Sequence, residues 1–191
     1  MPETGQTEIH GTVAPGFEPV MEAFARNFTD HGEVGAGCAV RVGGEEVVDL
    51  WAGIADPATG RAYEADTLQL VFSSTKGATA ICIGMLAQAG KLGYDAPVAD
   101  YWPEFAANGK EGIAVKHLLS HTSGVSGWAQ PVEVEDIYDW EKSTSMLAAQ
   151  APWWEPGTAS GYHSTNQGHL VGEVIRRITG TKLGEFFATE I

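Results

Sequence analysis

The amino-acid sequence predicts an α+β fold, with a short antiparallel sheet early in the chain and helices after it. Residues 38–42 and 47–54 are apolar segments, and the Gly43-Gly44 pair lies between them. Two such segments around a pair of glycines are typical of a β-hairpin with a tight turn. Residues 167–178 carry apolar side chains at helical spacing, which predicts an amphipathic helix. Strands followed by a run of helices are typical of an α+β architecture.

Composition and charge narrow the class of protein. The chain has 191 residues, of which 43% are hydrophobic and 19% charged, and its formal net charge is -14. This is a globular composition, large enough for one domain or two small lobes. An acidic surface repels phosphate backbones, so we expect no nucleic-acid partner.

Three features of the sequence indicate in which cellular compartment the protein is found. Residues 1–8 are polar and acidic, without the basic start and apolar core of a signal peptide. The longest apolar run, near residues 78–89, is too short to span a bilayer. Cys38 and Cys82 lie in apolar runs and are expected to pack as small hydrophobic side chains. We therefore expect a cytoplasmic protein with no membrane partner.

The first 72 residues are expected to hold a lead-in, one helix and the strands. Residues 1–16 are rich in Gly, Pro and Thr and predict a flexible N-terminal lead-in. Apolar residues at helical spacing over 17–31 predict an amphipathic helix. Residues 56–60 predict a turn and residues 67–72 a short apolar strand. Residues 17–72 are thus expected to form the N-terminal helix and strands of an α/β lobe.

Ser73 and Lys76 lie where the expected strand breaks into a helix. Three residues make about one helical turn, so both side chains lie on one face if the helix begins near Ser73. The start of a helix is its positive end, where backbone N–H groups lack partners. A lysine held in an apolar pocket is desolvated, which favours the neutral amine. A neutral amine can accept the serine proton, so this pair predicts an activated nucleophile.

Residues 73–191 are expected to form this nucleophile helix and a mostly helical lobe. Gly124 predicts the end of a short helix over 115–124, and Gly180 the end of the helix over 167–178. Further helices are predicted at residues 136–140, 143–150 and from 182 onward, with loops at 125–135 and 152–157.

The predicted sheet is small, because a hairpin with one short strand is marginal by itself. We therefore expect the C-terminal strands that complete it to lie outside these 191 residues. A continuation of the chain, a second copy in a homo-oligomer, or a second chain could supply them.

Tyr162 is a further candidate site residue, on a loop rich in breakers. A lysine nearby stabilises a phenolate, which can then act as a base. From this stretch alone, an ordinary half-buried tyrosine is the alternative that we favour.

The remaining candidates are weaker. His117 and His121 are four residues apart, but no Glu lies between them as in His-Glu-x-x-His and no third ligand has a telling spacing. We therefore favour structural histidines and expect no metal or cofactor. Trp128, on a loop, is a candidate to line a hydrophobic substrate cleft, with core packing as the alternative.

Three segments in order carry a family resemblance: Phe72-Ser-Ser-Thr-Lys-Gly77, His117-Leu-Leu-Ser-His-Thr-Ser-Gly124, and a stretch from Trp154 to Gly168 that contains Tyr162-His-Ser164. Together they resemble the serine beta-lactamase superfamily, in its class C-like branch of family VIII carboxylesterases. The resemblance runs from about residue 17 to the end and covers the N-terminal portion of that fold.

The resemblance implies a beta-lactamase/transpeptidase-like fold, with an antiparallel sheet flanked by helices, a mostly helical lobe and the site between them. It implies that Ser73 is the acylated nucleophile, that Lys76 activates it, and that Tyr162 shares the proton and protonates the leaving group. The backbone N–H of Ser73 would be one oxyanion donor.

The sequence departs from the family pattern at two points. Ser164, a candidate substrate-binding residue, stands where the family often has Asn, which favours an esterase over a beta-lactamase. The third motif, Lys-Thr-Gly or a substitute on a late strand, is missing from these residues. That strand supplies the second oxyanion donor, and losing one such donor costs about 3 kcal/mol or more. One expectation is therefore that these 191 residues by themselves are catalytically inactive.

The function expected from these features is a serine hydrolase that cleaves small carboxylic esters through an acyl-Ser73 intermediate. A beta-lactamase or D-alanyl peptidase that acts on amides is one alternative, disfavoured by Ser164 and the lack of an export signal. An acyltransferase is another. A non-catalytic binding or sensor domain of the same fold is disfavoured by the intact set of Ser73, Lys76 and Tyr162.

Overall fold

Residues 7–191, the part of the chain that the computed structural model describes, divide into two units at Leu70. The first unit ends at Leu70 and holds the strands, and the second runs from Val71 to Ile191 and is helical. The fold is thus a mixture of helices and antiparallel sheet, as predicted.

The first unit is built on an antiparallel sheet in which β3 pairs with each of the other strands. Its order is β1-β3-β2, and β4 pairs with the end of β3. The predicted hairpin is confirmed, since residues 43–44 connect β2 to β3. The strands are β1 (Ile9–Val13), β2 (Gly35–Val42), β3 (Glu45–Asp56) and β4 (Arg61–Ala62).

Strand β1 corrects the expected lead-in over residues 1–16, of which residues 1–6 lie outside the described part. Pairing with β3 orders residues 9–13. Gly11 lies in the middle of this strand with φ +110°, and a Cβ there would lie 1.9 Å from the carbonyl oxygen of Asp49. Only glycine allows this close approach of two strands, and a central glycine is also what weakens the strand pattern in the sequence.

Helix α1 (Glu18–Asp30) packs on the sheet, as predicted from its apolar spacing. Pro19 occupies its first turn, where a missing N–H costs nothing. Phe24 is buried against the sheet residues Val48, Leu50 and Ala52. This small apolar cluster holds the first unit together.

Residues 67–72 form no strand, so that prediction is wrong. The segment is an irregular connection whose apolar side chains face solvent, and Leu68 is 97% exposed. The sequence pattern was apolar enough for a strand, but no neighbouring strand pairs with the segment among residues 7–191.

The second unit packs its helices around an apolar core that includes Trp102, Phe105, Leu118, Leu147 and Leu170. The long helices follow the predictions closely, and Gly180 ends α6 in the left-handed conformation at φ 78°. The helices are α2 (Thr75–Gln88), α3 (Val115–Leu119), α4 (Val134–Tyr138), α5 (Trp140–Ala149), α6 (Gln167–Thr179) and α7 (Leu183–Glu190).

One helix prediction needs correction. Helix α3 ends at Leu119, five residues before Gly124, because the chain turns at Ser120. Helix α2 is only half-buried: Cys82, Ile83 and Leu86 face the core, whereas Ile81 is 56% exposed. Over residues 7–191, no helix combines the length and apolar character needed to cross a membrane.

Candidate active site

Ser73 lies in a single 3₁₀ turn, Phe72–Ser74, that leads directly into α2. Phe72 precedes it with φ 45°, an unusual conformation for a residue with a side chain. The turn places the Ser73 hydroxyl at the N-terminal end of the helix, with Lys76 one turn further on. Helical sequence spacing predicted this arrangement.

Ser73, Lys76 and Tyr162 converge within hydrogen-bonding distance. The Tyr162 hydroxyl donates to Ser73 Oγ at 2.6 Å. Lys76 Nζ donates to the same oxygen at 3.3 Å and lies 4.9 Å from the centre of the Tyr162 ring. Tyr162, which the sequence analysis considered apart from the Ser73–Lys76 pair, thus bonds to the same oxygen atom as Lys76.

The charges around Tyr162 favour loss of its proton. Hydrogen bonding to Ser73 and Lys76, together with the positive charge of Lys76, holds the pKa of Tyr162 below its ordinary value of 10.0. A lowered pKa makes the phenolate of Tyr162, the form that can accept a proton, easier to reach.

The apolar pocket expected around Lys76 is not what the structure shows. Lys76 is half-buried and Ser73 is exposed, so the site is open to solvent. Lys76 is oriented instead by a second hydrogen bond, from Nζ to the carbonyl oxygen of Ser164 at 2.9 Å. The ammonium or amine is thus directed between the Ser73 hydroxyl and the main chain after Tyr162.

Ser164 therefore enters the site through its backbone, whereas its side chain is exposed. Trp128 does not reach the site. Its indole N–H donates to the carbonyl oxygen of Ser143, and its ring packs edge-on against His169. Of its two sequence-based interpretations, the structure shows packing within the second unit.

Two buried polar residues behind Tyr162 were not singled out as site residues from the sequence. The His163 side chain is fully buried; Nδ1 lies 2.7 Å from the carbonyl oxygen of Gly161, and Nε2 lies 2.6 Å from Ser123 Oγ. A carbonyl can only accept, so Nδ1 carries the hydrogen and the serine hydroxyl donates to Nε2. Burial lowers the pKa of His163, which keeps it neutral. In the sequence, only the position of His163 next to Tyr162 indicated that it lies near the site.

His117 and His121 have different contacts, although they lie four residues apart. His117 Nδ1 accepts from the backbone N–H of Ala114 at 3.2 Å, at the start of its own helix. His121 instead contacts Tyr162 and His163 through its ring. Across residues 7–191, no three His, Cys, Asp or Glu side chains come together as a metal ion would require.

A mostly apolar cavity of about 920 Å³ lies beside Ser74 and Thr75. Trp140, Leu183 and Phe187 contribute to its walls. Ser73, Lys76 and Tyr162 are not among the described residues that line it. The three side chains that meet at Ser73 Oγ therefore do not form the walls of this cavity.

Comparison with known proteins gives a consistent result. The profile of the Beta-lactamase family matches residues 20–191. The chain is 37% identical over 190 residues to "Esterase/beta-lactamase LipL" of Mycobacterium tuberculosis (strain ATCC 25618 / H37Rv), covering 100% of this chain and 44% of that protein. It is 32% identical over 168 residues to "Esterase EstB" of Burkholderia gladioli, covering 78% and 42%.

The structural comparison extends this likeness. A crystal structure described as a family VIII carboxylesterase superposes with a TM-score of 0.91 at 51% identity, covering 96% of this chain and 50% of that one. The chain therefore spans about half the length of the relatives that it matches.

Proposed function

Because the chain belongs to the beta-lactamase family, we propose that it carries the nucleophile of a serine hydrolase that cleaves small carboxylic esters. The observation on which this depends is the shared hydrogen bonding of Tyr162 and Lys76 to Ser73 Oγ. Two relatives with "esterase" in their names and a carboxylesterase structure support ester substrates over other acyl compounds.

The reaction begins when Ser73 Oγ attacks the ester carbonyl carbon. As the new C–O bond forms, the serine proton passes to Tyr162, whose phenolate is stabilised by the charge of Lys76. The π electrons of the carbonyl group move to the carbonyl oxygen, which becomes an oxyanion, and the backbone N–H of Ser73 is one donor to it. A family fold of this kind needs a second donor, which we propose comes from outside residues 7–191.

Collapse of the tetrahedral intermediate breaks the bond to the alcohol. Tyr162 returns its proton to the departing alkoxide, and the acyl group remains on Ser73. Water then attacks the acyl-enzyme by the same route in reverse order, releasing the acid and restoring the serine. Every proton that leaves one group is thus accepted by another within the site.

A fluorophosphonate probe tests the nucleophile directly in the full-length protein. Intact mass and peptide mapping should show one adduct, on Ser73. The matched control is Ser74→Ala, since Ser74 is adjacent yet makes no capping hydrogen bond with its side chain. We expect labelling to survive Ser74→Ala and to vanish in Ser73→Ala. Labelling on another residue would mean that the nucleophile is misassigned, and no labelling would favour a binding or sensor domain.

The substrate class needs a separate assay. The name "Esterase/beta-lactamase" of one relative makes beta-lactam hydrolysis the second candidate. Side-by-side rates with p-nitrophenyl butyrate and nitrocefin distinguish the two, and an added alcohol acceptor reveals acyl transfer. We expect p-nitrophenyl butyrate to have the higher kcat/KM; the reverse order would overturn the ester proposal.

A further inference from the structure

We propose that His121 is a positioning residue that fixes Tyr162 against Ser73. This inference rests on the proposed function and deepens it, because it identifies what holds the proton acceptor in place. It is supported by contacts of His121 with Gly161 and His163, the residues immediately before and after Tyr162.

His121 holds the backbone on either side of Tyr162. Its carbonyl oxygen accepts from the N–H of Gly161 at 3.0 Å, and its ring Nδ1 accepts from the N–H of His163 at 3.1 Å. The two donors belong to the residues immediately before and after Tyr162. His121 thus fixes the main chain on both sides of Tyr162. This limits the directions in which the Cα–Cβ bond of Tyr162 can point.

The His121 ring also contacts the Tyr162 ring directly. The two ring centres are 4.7 Å apart with an interplanar angle of 62°, an edge-to-face arrangement. Such aromatic pairs are favourable beyond their buried area. The ring contact restricts the tyrosine side chain, while the two backbone bonds restrict its main chain.

The backbone of His121 is strained in a way that these contacts explain. Its φ is +63°, the left-handed region that residues with a Cβ seldom adopt. Such strain persists only where surrounding contacts enforce it, and it gathers at functional sites. Here the left-handed turn allows the carbonyl group and the ring of one residue to reach Gly161 and His163 together.

The contacts of His121 with Gly161, Tyr162 and His163, called the clamp from here on, require a neutral imidazole ring. Nδ1 must lack a hydrogen to accept from the His163 N–H. Burial, and then the charge of Lys76, lower the pKa of His121 and so favour the neutral ring. The groups that face it are Lys76 from α2 and Tyr162 and His163 from the opposite loop. Protonation would remove the acceptor and add a second charge beside Lys76.

The experiment compares two variants that both tolerate a left-handed backbone. His121→Gly removes the ring and its acceptor, and His121→Asn keeps a side-chain acceptor at the position of Nδ1. The matched control is His117→Asn, because His117 bonds to its own helix start and not to Tyr162. Each variant is made in the full-length protein and checked for folding by thermal unfolding.

The first readout needs no substrate. Tyr162 ionisation is followed by ultraviolet difference titration, with Tyr162→Phe subtracted to isolate it from the other tyrosines. In His121→Gly the pKa of Tyr162 should rise toward the ordinary value of about 10, because the phenol is no longer held at Ser73 and Lys76. His121→Asn and His117→Asn should titrate like the wild type.

The second readout is the hydrolysis of p-nitrophenyl butyrate. His121→Gly should lower kcat by roughly 10- to 100-fold with KM within about twofold, since misplacing a catalytic group costs rate and not binding. His121→Asn should recover most of that loss. A histidine that served stability alone would change the melting temperature and leave both readouts unmoved.

The outcomes separate the clamp from the proposed chemistry. Wild-type kcat and wild-type Tyr162 titration in a folded His121→Gly protein would overturn the clamp. If the wild type hydrolyses no ester but the titration still moves in His121→Gly alone, the clamp stands and the ester proposal fails. If His121→Gly does not fold, His121→Ala, which also lacks the ring and its acceptor, takes its place: a wild-type Tyr162 titration in folded His121→Ala would overturn the clamp, and a Tyr162 pKa that moves toward about 10 would support it.

Discussion

Ser73 Oγ is the acceptor of two hydrogen bonds, and the one from Tyr162 is 0.7 Å shorter than the one from Lys76 (2.6 against 3.3 Å). The shorter bond belongs to the group whose pKa is lowered by its surroundings. Hydrogen bonding to Ser73, then to Lys76, and last the charge of Lys76 lower that pKa, so under the proposed mechanism the phenolate of Tyr162 is the better placed proton acceptor.

Tyr162→Phe should therefore lower kcat for ester hydrolysis by about 10²- to 10⁴-fold, the range for loss of a general base. KM should change little, because the ring remains. Steady-state kinetics with p-nitrophenyl butyrate measure both. Tyr138→Phe is the control, since Tyr138 is 84% exposed. A kcat within a few-fold of wild type would transfer the role to Lys76.

Much of this site could be predicted from residue types and spacing. Ser73 and Lys76 lie one turn apart, and any helix that begins there must bring them together. Tyr162 lies 89 residues from Ser73, so only the resemblance to a family linked the two. The function of His121 could not be foreseen, because it depends on a left-handed backbone that no local pattern encodes for histidine.

Lys110 shows what holds one element of the second unit in place. Its side chain is fully buried, and Nζ donates to the carbonyl oxygens of Ala107 at 2.6 Å and Ala148 at 2.9 Å, and to that of Gln150. The carbonyls of Ala148 and Gln150 lie at the C-terminal end of α5, where such groups lack helical partners and attract positive charge. Burial lowers the pKa of Lys110, a cost that these bonds offset.

Lys110→Met should lower the free energy of unfolding by about 2–4 kcal/mol, because it leaves buried carbonyl groups without donors. Urea unfolding followed by circular dichroism measures the change. Lys91→Met, at an exposed lysine, provides the matched control. A loss no larger than that of the control would show that water replaces the ammonium at no cost.

Elements with strong local signals were predicted well, and those set by distant contacts were not. The Gly43-Gly44 hairpin and helix α6 follow from turn chemistry and apolar periodicity. Residues 67–72 have the composition of a strand, but a strand needs a partner that composition cannot reveal. Gly11 had the opposite effect, since it suits a close approach to Asp49 yet breaks the strand pattern.

At the scale of the whole molecule, three histidines whose pKa values are lowered couple folding to pH. Burial is the largest cause that lowers the pKa values of His117, His121 and His163 below 6.5. Below about pH 6.5 the unfolded chain takes up protons at these sites while the folded chain does not. Stability is therefore highest at neutral pH and falls as the pH drops through this window.

Urea unfolding at intervals between pH 7.5 and 5.5 should show this loss, with each such histidine contributing at most about 1.4 kcal/mol per pH unit. His163→Gln should reduce the slope by the share of one group, and His31→Gln, at an exposed histidine, serves as control. A slope unchanged in His163→Gln would mean that folding does not lower the pKa of His163.

The 89 residues that separate Tyr162 from Ser73 also have a practical consequence. Bringing two distant parts of a chain together costs conformational entropy, which the contacts of the folded state offset. A covalent reagent that needs both groups would therefore leave nascent, misfolded or aggregated chains unmarked. The same chemistry that would report turnover could then count properly matured molecules inside a cell.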